Sequence, residues 1–352
     1  MSTRDIRDLS YEELVAHLRS RGENAFRASQ IFSWIYQKNA SQFNKMSDLP
    51  SALQTRLGED FLFVLPKVLH KDVSSDGTIK ILSALHDGEK IETVLIPSSK
   101  RVTLCISTQA GCKFGCRFCA SGLGGWRRNL TCAEILGQIL YMKTIAGGNV
   151  ISHIVFMGVG EPLDNYDNLM KAIRVINSPK GLNIAARRIT VSTCGLIPRI
   201  RQLAGEGLQI ELAVSLHGSS NASRNVLMPV NKKYPIDDLI AACREYNKAT
   251  KRQITFEYIL IKDVTCTEQA ARELGRLLKG LLCKINLIAY NRVSEFDHEP
   301  PSRNRIFAFK DLLEKDGIHA TIRTPRGTDV SAACGQLRHS EGPLKLNIHR
   351  SE

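Results

Sequence analysis

Hydrophobic positions near the N-terminus recur every three or four residues. The segments YEELVAHLRSRG, FRASQIFSWIYQK and MSDLPSALQTRL all have this spacing, which is typical of one apolar helix face. Ser10 and Glu13 match a capping box before the first segment, and Gly22 follows it as a C-terminal stop. The pattern predicts a helical accessory domain over residues 1–60, which either binds a partner, RNA above all, or packs as a cap on the main domain.

After residue 60 the period changes to that of strands. TIKILSAL and KIETVLIP predict two strands joined at HDG, so residues 61–98 are expected to form a β-hairpin extension. From residue 99 a strand, a turn and a helix then repeat. The predicted strands are RVTLCIST, HIVFMGVGEP, RRITVSTCG, QIELAVSLHG, QITFEYILI and KINLIAYN, and HATIRTPRG closes the series.

Alternating strands and helices indicate an α/β fold with a parallel sheet and crossover helices. Six repeats suit an incomplete (β/α)6 barrel over residues 99–337 better than a complete eight-unit barrel. Active sites of such barrels gather at the C-terminal ends of the strands. Residues 338–352 are expected to form a basic tail.

Composition and charge narrow the class of protein. The chain has 352 residues, of which 43% are hydrophobic, an ordinary fraction for a soluble globular protein. It contains no run of about 18 apolar residues, and its first residues do not resemble a signal peptide, so we expect a cytoplasmic protein without membrane contact. The formal net charge of +13 favours a nucleic acid as partner.

Ten cysteines in a chain without a secretion signal indicate metal binding or catalysis rather than disulfides. Cys112, Cys116 and Cys119 form the pattern CxxxCxxC after the first predicted barrel strand. Thiolates suit a soft metal. Structural zinc usually takes four ligands, whereas three thiolates on a 4Fe–4S cluster leave one iron open for a substrate. Both alternatives make these three residues metal ligands.

The cysteine spacing, at this place in a β/α chain, resembles the radical S-adenosylmethionine (SAM) superfamily. That resemblance implies a 4Fe–4S cluster whose open iron binds SAM and whose electron cleaves it to a 5′-deoxyadenosyl radical. GVGEP resembles the superfamily's loop for the amino group of SAM. A polar residue at the end of one strand more often forms a local hydrogen bond. Several such residues on the same rim of the barrel favour contact with a cofactor. The implied SAM contacts are Gly160, Glu161, Ser192, Ser215, Leu216, His217 and Asn291.

Eight segments in order resemble one family within that superfamily, the RlmN-type methyltransferases. They are DGTIKILSALHDGEKIETVLIP, CISTQAGCKFGCRFCASG, FMGVGEPLDNYDN, RRITVSTCG, AVSLHG, MPVNKKYP, CKINLIAYN and TPRGTDVSAACGQL. The resemblance covers nearly the whole chain. It implies methylation of carbon 2 of adenine in 23S ribosomal RNA and in transfer RNA, with two SAM molecules used per turnover.

The same resemblance implies roles for three further residues. One SAM methylates Cys334, the radical from a second SAM removes a hydrogen from that methyl group, and the methylene bonds to carbon 2 of the base. Glu92 then accepts the ring proton, and Cys105 attacks the sulfur of Cys334, which releases the RNA and leaves a transient disulfide. From the residues alone, Glu92 is a solvent-facing strand carboxylate and Cys105 a core thiol.

Two alternatives stay open. A Cfr-type enzyme methylates carbon 8 of the same adenine, and a zinc-stabilised RNA-binding protein has no catalytic activity. The resemblance also implies a one-electron reductant of flavodoxin type, and we expect a monomer. Four basic residues are candidate phosphate contacts, although a solvated surface explains each of them equally well: Arg127, Arg128, Arg187 and Arg188.

Overall fold

The structure is a computed structural model that describes residues 4–146 and 150–338. Its strands are β1 (Lys67–Val73), β2 (Ile79–Ala84), β3 (Lys90–Ser98), β4 (Arg101–Cys105), β5 (Gln109–Gly111), β6 (Trp126–Asn129), β7 (His153–Phe156), β8 (Ile189–Thr193), β9 (Glu211–Ser215), β10 (Ile254–Leu260), β11 (Cys283–Ala289) and β12 (Ala320–Arg323). Its α-helices are α1 (Tyr11–Ser20), α2 (Phe26–Phe32), α3 (Ser51–Asp60), α4 (Cys132–Ile145), α5 (Tyr166–Asn177), α6 (Ile197–Ala204), α7 (Asn221–Leu227), α8 (Ile236–Thr250), α9 (Glu268–Leu278) and α10 (Arg303–Lys315). The predicted basic tail lies outside the described residues except for its first residue, Arg338.

Ten of the strands form one sheet in the order β1-β2-β3-β4-β7-β8-β9-β10-β11-β12. From β4 to β12 every neighbouring pair is parallel, and helices connect successive strands of this part. β1, β2 and β3 pair antiparallel, as do β3 and β4. The predicted α/β fold with a parallel sheet is therefore confirmed, and an antiparallel extension continues the sheet at one edge.

The N-terminal helices pack against the first helices of the barrel. Ser10 and Glu13 form the predicted capping box at the start of α1. The carboxylate of Asp8 accepts a hydrogen bond from the backbone N of Ala133 at the start of α4, at 2.7 Å. Lys171 on α5 lies 2.9 Å from an oxygen of Glu13. Part of the helical unit is thus anchored on the barrel.

The register of the extension places several polar residues on one face of the sheet. Val94 on β3 is directly opposite Cys105 on β4 and opposite Lys80 on β2. Opposite residues on paired strands point to the same side, and so does Glu92, two positions before Val94. One face of the extension therefore carries Lys80, Glu92 and Cys105.

None of the helices in the described ranges has the length and apolarity needed to cross a lipid bilayer.

Candidate active site

The three clustered cysteines lie in the loop that joins β5 and β6. These two strands pair as an antiparallel hairpin, which closes the loop at its base. Gly111 ends β5 with a φ of 76°, and a Cβ atom there would lie 1.9 Å from the carbonyl oxygen of Gly125. Only glycine allows the two arms of the hairpin to approach so closely.

Cys112, Cys116 and Cys119 all line one cavity, together with residues that follow the parallel strands. Burial raises the pKa of the Cys112 thiol to about 12, and it also raises the pKa of Cys116 and Cys119. Binding a metal as thiolates therefore displaces protons.

The donor set fits an iron–sulfur cluster. In residues 4–146 and 150–338, no three His, Cys, Asp or Glu side chains are already arranged to hold a metal ion. A 4Fe–4S cluster takes one soft thiolate per iron, and three thiolates leave one iron open. Three soft thiolates on one cavity wall match that requirement.

Gly160 and Glu161 hold the loop after β7 against the cavity. Gly160 has a φ of 103°, and a Cβ there would lie 2.5 Å from the side chain of Gln109. The buried carboxylate of Glu161 accepts hydrogen bonds from the backbone N of Leu163 at 3.1 Å and of Cys194 at 2.7 Å, while burial raises its pKa. Each carboxylate oxygen has a second lone pair, and the residue lines the cavity, where it can accept from an ammonium group.

The other predicted cofactor residues divide into two groups. Ser192, Ser215 and His217 line the cavity beside the cysteines. Leu216 is 0% exposed and packs in the main core. Asn291 donates from Nδ2 to the backbone oxygen of Cys334 at 3.1 Å, so in this structure it fixes a loop rather than forming the cavity wall.

His217 is a neutral imidazole with a defined tautomer. Its Nδ1 accepts a hydrogen bond from the backbone N of Ile259 at 3.1 Å, so the ring proton resides on Nε2. Burial lowers the pKa of His217 to about 3. The ring packs edge-on against Phe118 in the cysteine loop, with centroids 4.7 Å apart, which leaves a donor and an apolar surface at the cavity.

Cys334 reaches the same cavity from the other end of the chain. The backbone oxygen of Gly335 accepts from the N of Ala120 at 2.7 Å, and Ser121 Oγ donates to the backbone oxygen of Leu337 at 2.8 Å. The loop after β12 is thereby fastened to the turn that follows the third clustered cysteine. Cys334 itself is an exposed free thiol.

Cys105 lies behind this loop as a buried thiol. It packs in a small apolar cluster with Val94, Ala332 and Leu337. Burial, with a further contribution from Cys334, raises the pKa of Cys105 to about 12. Cys105 is therefore neutral at rest and contacts the same segment that carries Cys334.

Glu92 is buried, in contrast to the solvent-facing position that the strand pattern favours. Its residue surface is 7% exposed. One carboxylate oxygen accepts from the backbone N of Arg338 at 2.6 Å, and the other lies 3.2 Å from Nζ of Lys80. Burial raises the pKa of Glu92, and the ammonium of Lys80 partly offsets that rise.

All ten cysteines lie in the described part of the chain, and all are free thiols. The disulfide between Cys105 and Cys334 that the resemblance implies is thus not present in this structure. A disulfide requires the two sulfur atoms to lie about 2 Å apart. The buried thiol of Cys105 and the exposed thiol of Cys334 must therefore approach each other before the bond can form.

The structure places the four predicted RNA contacts in different surroundings. Arg128 donates to both carboxylate oxygens of Glu134, at 2.7 and 2.8 Å, so its charge is already paired within the protein. Arg187 and Arg188 are exposed but directly precede β8, at the N-terminal edge of the parallel strands and opposite the cavity. Arg127 is exposed next to the cysteine loop and is the candidate whose position suits RNA that enters the site.

Sequence reasoning missed Arg224, a fully buried arginine beneath the cavity. It is 0% exposed and donates to the backbone oxygens of Leu216 at 3.0 Å and Cys194 at 2.6 Å, and to the side chain of Asn231 at 2.9 Å. One guanidinium thus joins the segments that follow β8 and β9. In the polar run SSNASRNVL, an arginine is usually expected on the surface, so no local signal identifies it.

Replacing Arg224 by methionine is expected to lower the free energy of unfolding by about 3 kcal/mol, because three buried acceptors lose their donor. Urea denaturation of the cluster-free protein measures the change. Arg201→Met is the control, since Arg201 pairs with Glu245 on the exposed surface and its loss should leave the midpoint unchanged. Equal midpoints for the two variants contradict the structural role of Arg224.

Two family models match separate parts of the chain. Residues 4–62 match the ribosomal RNA large subunit methyltransferase N-terminal domain. Residues 106–274 match the radical SAM superfamily. The first match covers the N-terminal helices. The second covers the cysteine loop and four of the parallel strands, β7, β8, β9 and β10.

Similar proteins cover almost the full chain. A probable dual-specificity RNA methyltransferase RlmN from Clostridium perfringens is 46% identical over 96% of this chain and 97% of its own length. One from Geobacillus kaustophilus is 47% identical over 96% of this chain and 93% of its own. The crystal structure of a radical SAM methyltransferase from Sphaerobacter thermophilus superimposes with a TM-score of 0.92 at 43% identity, covering 96% of this chain and 100% of that one.

Proposed function

Because the chain belongs to the RlmN family of radical SAM RNA methyltransferases, we propose that it methylates carbon 2 of adenine in 23S ribosomal RNA and in transfer RNA. One observation carries the proposal. The loop of Cys334 is hydrogen-bonded to the loop of the three clustered cysteines, and Cys334 lines their cavity. A thiol that receives a methyl group and passes it to RNA needs this position.

The residues of the cavity support binding of the cofactors. Cys112, Cys116 and Cys119 are the proposed ligands of a 4Fe–4S cluster. When bound, the cluster and SAM supply the 5′-deoxyadenosyl radical, and two SAM molecules are used in each turnover. The proposed SAM contacts are the predicted residues that line the cavity, namely Gly160, Glu161, Ser192, Ser215 and His217. Leu216 is buried in the core and Asn291 bonds to the loop of Cys334, so neither is proposed as a contact.

Cys334 is the proposed carrier of the methyl group. Its thiol takes the methyl of one SAM and releases its proton. The resulting S-methyl carbon would give a hydrogen atom to the 5′-deoxyadenosyl radical and bond to carbon 2 of the base. Adenine carbon 2 has no nucleophilic lone pair, so it cannot take a methyl cation directly from SAM. The intermediate is a covalent link between Cys334 and RNA.

Glu92 and Cys105 complete the proposed reaction. Glu92 accepts the proton of carbon 2, while the radical adduct would return the one electron that was used to cleave SAM. Burial raises the pKa of Glu92, which makes it a stronger base than an ordinary carboxylate. Cys105, as the thiolate, attacks the sulfur of Cys334 and forms a transient disulfide. The bond from that sulfur to the methylene carbon breaks, and the carbon keeps the electron pair and takes a proton to become the methyl group of the released RNA. Cys105 packs against the segment that carries Cys334, which supports this role.

The N-terminal helices over residues 1–60 are the proposed RNA-binding accessory, residues 61–98 an extension, and residues 99–337 the catalytic barrel. We infer that the protein acts as a cytoplasmic monomer with a one-electron donor of flavodoxin type.

Product analysis tests the proposal. Protein purified without oxygen and reconstituted with iron and sulfide is incubated with a 23S ribosomal RNA fragment, SAM and a reductant, and the nucleosides are identified by mass spectrometry. The expected product is 2-methyladenosine. Formation of 8-methyladenosine instead assigns the Cfr-type reaction, and a colourless, zinc-containing protein without product assigns the non-catalytic alternative.

Binding of the RNA fragment is expected to weaken steeply with salt, by about a thousandfold between 50 and 200 mM, because phosphate contacts release counterions. Fluorescence anisotropy at several salt concentrations measures the slope. Arg127→Gln should reduce the slope by about one contact, whereas Arg187→Gln, at the opposite edge of the sheet, should leave it unchanged. A flat salt dependence of the unaltered protein contradicts RNA as the substrate.

A further inference from the structure

Lys80 is a lysine held on the covered face of the β extension. Its side chain is 12% exposed, and its Nζ lies 3.2 Å from a carboxylate oxygen of Glu92 and 3.6 Å from one of Asp72. The other oxygen of Asp72 is 2.8 Å from Nε2 of His70. A largely buried ammonium is costly unless it is paired, and the two carboxylates provide that pairing.

The strand register fixes this arrangement. Asp72 on β1 is directly opposite Lys80 on β2, Lys80 is opposite Val94 on β3, and Val94 is opposite Cys105 on β4. These four residues form one row across four strands, and opposite side chains share a face of the sheet. Glu92 lies one step along the same face. The backbone ladder, rather than a flexible loop, therefore holds the ammonium beside Glu92.

We propose that Lys80, itself held by Asp72, is a positioning residue that keeps Glu92 ionised and oriented to take the proton of the RNA base. The inference rests on the proposed function, in which Glu92 is the base. A carboxyl group that is protonated cannot accept a proton, and burial favours the protonated form. The adjacent ammonium counteracts burial and donates to one oxygen, while the N–H of Arg338 donates to the other.

The other charged or titratable groups near Glu92 do not replace Lys80. Asp72, from β1, opposes ionisation of Glu92. The guanidinium of Arg338 is paired with Glu295 at 2.5 Å. Cys105, from β4, is a neutral thiol because burial raises its pKa. Lys80 is therefore the group on this face whose charge favours the basic form of Glu92 most directly.

Removing the ammonium of Lys80 should shift the pH profile of the reaction in one direction. In Lys80→Met the pKa of Glu92 rises, so a smaller fraction is ionised at a given pH below it. The acid limb of the pH profile for single-turnover release of methylated RNA should move to higher pH by about one unit. On that limb the rate falls about tenfold, and at high pH it returns to that of the unaltered protein. Lys80→Arg retains the charge and should keep most of the profile.

Deuterium at carbon 2 of the adenine tests whether Lys80 acts through Glu92 or through another group. If Lys80 acts through Glu92, the proton transfer limits the rate in Lys80→Met at low pH, and the deuterated RNA reacts several-fold more slowly. If Lys80 acts on Cys105, the profile shifts without an isotope effect. Lys71→Met is the matched control, because Lys71 lies on β1 between His70 and Asp72 but is exposed; its profile should be unchanged.

The experiment is a set of single-turnover time courses with the reconstituted holoenzyme and a ribosomal RNA fragment, for the unaltered protein and the variants Lys80→Met, Lys80→Arg, Lys71→Met and Glu92→Gln. A shifted acid limb with an isotope effect in Lys80→Met supports the inference. A profile that matches the unaltered protein, or a shift without an isotope effect, overturns it. If Glu92→Gln releases methylated RNA at the normal rate, the assignment of Glu92 as base fails instead. Circular dichroism melts of each variant identify any loss of folding. If Lys80→Met does not fold, the inference is tested with Lys80→Arg instead.

Discussion

Replacing Cys105 by alanine is expected to convert the enzyme into a covalent protein–RNA adduct after a single reaction. The Cys105→Ala variant retains Cys334 on the cavity wall, so it should accept the methyl group and bond to RNA. It lacks the thiol that attacks the sulfur of Cys334, so release should fall by at least about a hundredfold, since no other described cysteine packs in the small cluster around that loop. Cys334→Ala should form neither the methylated thioether nor the adduct.

A denaturing gel of labelled RNA after reaction measures both outcomes. A shifted band that nuclease removes is expected for Cys105→Ala and is expected to be absent for Cys334→Ala. Cys132→Ala is the matched control, because Cys132 is also a buried thiol, 0% exposed, but lies at the start of α4. Normal turnover by Cys105→Ala, or an adduct formed by Cys334→Ala, contradicts the proposed roles.

The repeated change between strand and helix periods was sufficient to predict the parallel sheet. Apolar runs such as ITFEYIL, in which every residue of β10 is buried, are typical of strands covered on both faces. The hairpin of β2 and β3 also follows from its pattern. These elements depend on local sequence, which is why the sequence predicts them.

The elements that were missed have weak local signals. β1 has the sequence KVLHKDV and is exposed at most positions, so it lacks the alternation of a half-buried strand. β5 has three residues and β6 four, too few to show a period. α7 is seven residues long and mostly polar. Each is formed because a neighbouring segment pairs with it or covers it.

The candidate site shows the same division between local and long-range information. The cysteine motif and GVGEP are contiguous in sequence, and the structure brings them to one cavity. The pattern of its own strand predicts that Glu92 faces solvent. Its burial depends on the segment of Arg338, which is far away along the chain. Arg224 likewise acquires its role from carbonyl groups of two other segments. Such contacts are properties of the fold and cannot be obtained from periodicity.

Replacing any one of Cys112, Cys116 and Cys119 by alanine is expected to abolish both cluster binding and the reductive cleavage of SAM. The three thiols share one cavity wall, and a cluster that loses one of three protein ligands loses a bond to one of its irons. Iron and sulfide content should fall from about four of each per chain, the composition of a 4Fe–4S cluster, to background. Formation of 5′-deoxyadenosine should stop with it.

Cys334→Ala provides the control for this experiment, because Cys334 lines the same cavity but is proposed to carry the methyl group rather than to bind iron. That variant should remain brown after anaerobic reconstitution and should still produce 5′-deoxyadenosine from SAM. Metal analysis of the purified proteins also tests the zinc alternative directly, since zinc bound to the three thiolates gives a colourless protein that needs no reductant. Cleavage of SAM by a variant that lacks all three cysteines contradicts their assignment as cluster ligands, because no other group of described residues offers three thiolates on this wall in one contiguous loop.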